Sequence, residues 1–122
     1  MPDVRTVVHL HGAEVEPESD GHPDAWFTRD FAQCGSRFEQ KVYKYSNNQR
    51  PTTLWYHDHA IGITRLNVYA GLAGMYIIRN EEENSLNLPA GKYEIPLVIQ
   101  DKSFNDDGSL FYPRTVNNPP PT

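Results

Sequence analysis

At 122 residues, 38% of them hydrophobic, the chain is the size of one ordinary domain, and two full domains are excluded. With 11 basic against 16 acidic residues the formal net charge is -5, which removes the electrostatic reason for approaching a phosphate backbone or an anionic lipid surface. No apolar run is as long as a membrane span, "MPDVRTVVHL" lacks the features of a signal peptide, and the single cysteine, Cys34, excludes an internal disulfide and a cysteine-rich zinc site. A soluble chain with neither nucleic-acid nor membrane partner is expected; localisation stays open.

In chain order, "VRTVVHL" (4–10) is rich in β-branched residues and predicts a strand, followed by a turn-rich loop over 12–25 with Pro17, Gly21 and Pro23. The aromatic stretch "WFTRDF" leads to residues 37–45, "RFEQKVYKY", whose Phe38, Val42, Tyr43 and Tyr45 have β-compatible spacing. The turn "SNNQRP" then suggests a hairpin into "TTLWYHDH" (52–59). "AIGITRLNVYAGL" (60–72) is ambiguous between a short helix and a loop, and "AGMYIIRN" (73–80) predicts another strand, so four strands are expected in the first 80 residues. Residues 81–92 form a polar connector, 93–101 ("YEIPLVIQD") predict one more strand, and the final "NNPPPT" is not expected to be regular.

Four of the five histidines fall in two His-x-His motifs, "VHLHG" and "WYHDH". In a strand, residues i and i+2 point to one face, so His9 and His11 project together, as do His57 and His59, with Leu10 and Asp58 on the other face. Each pair then roots its imidazoles roughly 6–7 Å apart, which suits two neighbouring metal ions better than one. All-nitrogen ligation favours copper, zinc, iron or nickel over magnesium or calcium. His22, beside Pro23, reads as a solvated loop residue.

"TVVHLHG", "SDGHPDAWF" and above all "LWYHDHAIGITRLNVYAGLAGMYII" closely resemble the first cupredoxin domain of multicopper oxidases, nearest to the bacterial spore-coat laccases. The resemblance extends to "YEIPLVIQDKSFNDDGSLFYP", which is similar to the connector and first strand of that family's second domain. It implies an all-β fold: a partial cupredoxin-like Greek-key β-sandwich lacking its first strands (1–80), a linker (81–92), and the start of a second cupredoxin-like domain with a Pro-rich tail (93–122). It implies copper as cofactor, with His9 resembling a ligand of the type 2 ion and His11, His57 and His59 resembling ligands of the coupled type 3 pair. Asp20 matches an acidic residue near that cluster that assists proton delivery to reduced oxygen. Dioxygen, phenolic or similar electron donors and the remaining cupredoxin domains are the partners implied, with spore-coat or extracellular localisation as the family's association. Trp55 and Tyr56 are expected to pack around the site, and Arg65 and Asn67 to hold the loop after the second pair.

The family's type 1 copper signature, His-Cys-His, does not occur in these residues, and Cys34 has no histidine beside it. The expectation is therefore an internal segment of a larger oxidase, inactive alone and, with open strand edges, prone to self-association. Two other readings remain. Glu16 follows His9 and His11 at a spacing that mononuclear cupin-type metalloproteins use, although "HDH" argues against it. A non-catalytic copper-binding fragment is the other.

Overall fold

The computed structural model describes residues 3–112. Three strands, β1 (Val8–His11), β2 (Thr52–Asp58) and β3 (Ala73–Ile78), form one antiparallel sheet in the order β1-β2-β3. The longest, "TTLWYHD", takes the centre. Its β-branched, aromatic and aliphatic side chains suit a pleated surface covered by neighbours, and it pairs on both sides. His9 lies opposite His57, Leu10 opposite Tyr56, and His11 opposite Trp55.

The pleat sorts the sheet into two faces. Leu10, Leu54 and Ile78 share one, where they form a buried cluster joined by Ala13, Tyr45 and Tyr76. His9, His11, Trp55 and His57 share the other. A second cluster, of Val7, Ala25 and Ala60 with Trp26, Tyr43 and Ile63, seats the segment preceding β1 against the loop and the residues following β2. Val7, two residues before His9, and Leu10, between His9 and His11, are fully buried and anchor the first pair.

The ambiguous stretch after the second pair contains a helix, α1 (Thr64–Ala70), ended at Gly71, whose N–H bonds the carbonyls of Asn67 and Val68. Within the polar connector a one-turn helix, α2 (Glu81–Asn84), starts where the Asn80 side chain accepts a hydrogen bond from the Glu83 N–H at 3.1 Å.

Two expected strands do not form. Residues 37–45 do not pair with β2, whose partners are β1 and β3. Their hydrogen bonds go to the loop instead: Lys44 N–H and Gln40 Nε2 both donate to Ser19 Oγ, at 3.1 and 3.0 Å. Tyr43 and Tyr45 pack inward as anchors for this irregular run. Residues 93–101 have no ladder partner among the described residues, and Tyr93, Ile95, Leu97 and Ile99 are well exposed, Ile99 at 92%. A strand needs a neighbour to hydrogen-bond, and apolar composition alone does not supply one. The tail "NNPPPT" lies outside the described residues.

Candidate metal centre

The two His-x-His pairs meet across the β1–β2 ladder. His9 and His57 are directly opposite, with ring centroids 5.4 Å apart, and His11 reaches His57 diagonally. On this diagonal His11 Nδ1 stands 3.4 Å from His57 Nε2. Two nitrogens bound to one tetrahedral ion at about 2.05 Å would stand about 3.3 Å apart, so this cross-strand pair has the separation of two ligands of one ion. His59, just past the end of β2, stacks on His9 with centroids 4.6 Å apart. Among the described residues, His9, His11 and His57 are the group whose donor atoms all lie within 4.8 Å of one another. Glu16 is not in it, which removes the geometric support for a cupin-type site.

Backbone carbonyls set the tautomers of three of the rings. His9 Nδ1 lies 2.6 Å from the Asp20 carbonyl, His59 Nδ1 2.8 Å from the Gly21 carbonyl, and His57 Nδ1 2.7 Å from the Asp58 carbonyl. Carbonyl oxygens only accept, so each Nδ1 carries the proton and each Nε2 keeps its lone pair for a metal. This is the outer arrangement that metal-binding histidines require. His11 alone turns Nδ1 toward its neighbours.

Two consecutive loop residues provide two of those carbonyls. Gly21 adopts φ +79°, and a Cβ there would sit 1.9 Å from the Val8 carbonyl oxygen, so only glycine lets the "SDG" turn lie this close to β1. Ser19, 2% exposed, holds the turn from behind through its bonds from Gln40 and Lys44. The Asp20 carboxylate, about half exposed, lies 3.3 Å from His9 Nδ1. Burial, followed by the neighbouring imidazoles of His9, His59 and His11, pushes the pKa of His57 below 6.5 against the opposing hydrogen bond to the Asp58 carbonyl, which favours the neutral ligand form.

Other residues fall differently from expectation. Trp55 lies 4.2 Å from the His57 ring by centroids and 5.5 Å from that of His11, on their face of the sheet. Tyr56 points to the opposite face and covers Gly74, so it is not part of the site's surroundings. Asn67 is buried, and its side-chain amide donates to the Arg5 carbonyl at 2.9 Å, tying α1 to the segment before β1. Arg65 instead sits over the Tyr112 ring, 5.0 Å from its centroid. His22 is exposed and its Nδ1 accepts the Asp24 N–H; Cys34 is exposed. Sequence reasoning gave no role to Asp58, which pairs with Val8 on the face away from the histidines, as expected, and is 2% exposed. An aspartate enclosed by two histidines at the end of an apolar strand was the available signal.

A family model described as multicopper oxidase matches residues 2–83. The chain belongs to the multicopper oxidase family. It is 58% identical over 119 residues to a laccase of Bacillus stratosphericus, covering 98% of this chain and 23% of that protein. It is 55% identical over 121 residues to a laccase of Bacillus subtilis (strain 168), covering 99% and 24%. The crystal structure of the McoA multicopper oxidase from the hyperthermophile Aquifex aeolicus superposes with a TM-score of 0.70 at 36% identity, over 91% of this chain and 24% of that one. The sheet is thus part of an all-β, cupredoxin-like fold, and the chain spans about a quarter of the length of these relatives. Membership in this family implies copper, and the donor set fits it: neutral imidazole nitrogens, several of them preset by carbonyls.

Proposed function

We propose that this chain supplies half of the histidine ligands of a three-copper cluster in a laccase-like oxidase, with His9 serving the type 2 ion and His11, His57 and His59 the type 3 pair. The observation that carries the reading is the convergence of four imidazoles from the two His-x-His motifs, three with Nδ1 bonded to a carbonyl and so with Nε2 unprotonated. When bound, the copper ions supply one-electron redox chemistry, storing electrons drawn from phenolic or similar donors for the reduction of dioxygen to water. The chain's own residues hold the imidazoles in their ligand tautomers. Reduction of dioxygen consumes four protons. The half-exposed Asp20 carboxylate, 3.3 Å from His9 Nδ1, supports assigning proton delivery to Asp20.

In this reading residues 1–80 are part of a first cupredoxin domain, 81–92 a linker and 93–122 the beginning of a second. The type 1 copper and the other cluster ligands come from the remaining cupredoxin domains, and the chain by itself does not oxidise donors. Copper titration of the chain, followed by electron paramagnetic resonance for nitrogen coupling, tests the reading. Wild type should bind copper through imidazole, His57→Ala/His59→Ala should bind at least ~10-fold more weakly, and His22→Ala should match wild type. Equal binding by wild type and the double variant would overturn it, and a single ion per chain whose affinity depends on Glu16 would indicate a cupin-type site.

A further inference from the structure

Between the histidines of the second pair stands a buried carboxylate that is not among the grouped metal donors. Asp58 is 2% exposed, and both of its carboxylate oxygens accept hydrogen bonds. Oδ1 accepts from Thr6 Oγ1 at 2.8 Å and from the Val7 N–H at 3.0 Å, while Oδ2 accepts from the Ala60 N–H at 3.2 Å. Among the described residues no lysine or arginine pairs with it. An aspartate enclosed without a cation is costly, and it is tolerated here because three donors converge on it.

Those donors come from both sides of the metal centre. Thr6 and Val7 immediately precede β1, which carries His9 and His11, while Ala60 immediately follows His59. The backbone of the same stretch completes the clamp: His59 N–H donates to the Val7 carbonyl at 2.9 Å, and the Asp58 carbonyl takes the His57 Nδ1 proton. His59 lies beyond the last residue of β2, where the ladder no longer dictates its position. Something else must hold it against β1.

Resting on the copper reading above, we propose that Asp58 is a positioning residue for the cluster: its carboxylate locks the end of β2 to the start of β1 and so sets the His57–His59 pair against His9 and His11. It touches no ion. Its effect passes through the backbone on which the two imidazoles are mounted.

Asp58→Asn is the sharpest test, because asparagine keeps the size and one acceptor oxygen but must turn an NH2 group toward at least one existing donor. Thr6→Val removes a single donor and is the milder variant should Asp58→Asn fail to fold. Ile78→Val is the control, a core change in the Leu10 cluster on the opposite face of the sheet. Copper affinity is measured by competition with a chelator, together with the histidine ring-nitrogen NMR signals of the chain without copper and the thermal midpoint. Asp58→Asn should weaken copper about 10-fold or more and move the His57 and His59 ring signals while that of His22 stays. Thr6→Val should do the same to a smaller extent, and Ile78→Val should lower the midpoint with copper affinity within about 2-fold of wild type. If wild type binds copper and Asp58→Asn and Thr6→Val bind equally well with unmoved ring signals, the positioning role is overturned. It is also overturned if affinity falls merely in step with the midpoint across all three variants. Failure of wild type to bind copper would defeat the copper reading instead, and the ring signals would still decide whether Asp58 sets the imidazoles.

Discussion

Replacing Gly21 by alanine attacks two imidazoles through their carbonyl partners without touching a histidine. The backbone at φ +79° costs an alanine about 1–2 kcal/mol. The new Cβ would lie 1.9 Å from the Val8 carbonyl oxygen, and real Cβ atoms essentially never approach within 3.0 Å, so the turn must retreat from β1 by about 1 Å. That shift stretches the bonds from His9 Nδ1 to the Asp20 carbonyl and from His59 Nδ1 to the Gly21 carbonyl, each worth about 0.5–1.5 kcal/mol. The combined loss is about 2–5 kcal/mol, a large share of the stability of a small domain. Gly62 provides the comparison: its φ is +75°, but nothing lies within 4 Å of a Cβ there, so Gly62→Ala should cost only the backbone strain of about 1–2 kcal/mol. Urea denaturation of both variants measures the difference, and copper competition should show weakening of at least ~10-fold for Gly21→Ala alone. Equal destabilisation by the two substitutions, with copper affinity unchanged in both, would refute the argument that this turn is pinned to β1 and holds the rings.

Asp20→Asn, made at the matching position of a full-length relative, should lower turnover and alter its pH profile while copper content and anaerobic reduction by donor stay near wild type; unchanged turnover across the pH range would leave Asp20 with a role in the turn alone. In the chain without copper, His57 takes up its proton near pH 6.5 when unfolded and at lower pH when folded, so stability is fully present above 6.5 and lost as pH falls from there through the lowered folded pKa. Thermal midpoints should decline over that window, and His57→Gln should flatten the slope; an identical slope in the variant would exclude His57 as the cause. Asn67→Ala removes the bond to the Arg5 carbonyl and leaves that acceptor unsatisfied, for a loss of about 1–3 kcal/mol in urea denaturation, against near-neutrality if solvent replaces the amide. Sedimentation should show concentration-dependent association of wild type through the exposed apolar run at 93–99, relieved by Leu97→Lys/Ile99→Lys; a monomer at all concentrations would count against open apolar segments as the driver.

The period-2 pleat and the composition of "VHLHG" and "WYHDH" were enough to put His9, His11 and His57 on shared faces of strands, because side-chain direction in a strand follows from local geometry alone. The helix at 64–70 stayed ambiguous, since seven residues with glycines at either side satisfy both a short helix and a loop until packing against β2 decides. Residues 37–45 and 93–101 have strand composition, yet a strand exists only with a partner. For 37–45 the Ser19 hydroxyl and inward tyrosines took the partner's place, and for 93–101 none lies among the described residues. The tertiary structure alone decided that the imidazole nitrogens 3.4 Å apart belong to different motifs, His11 and His57, because ladder register fixes diagonal neighbours and no local rule encodes register. It also decided the burial and partners of Asp58 and the carbonyls that select each tautomer. Those contacts join residues 11 to 52 positions apart in the chain, apart from the adjacent Asp58 carbonyl on His57 and the nearby Ala60 N–H on Asp58, and a distance in space between such residues cannot be read from their order.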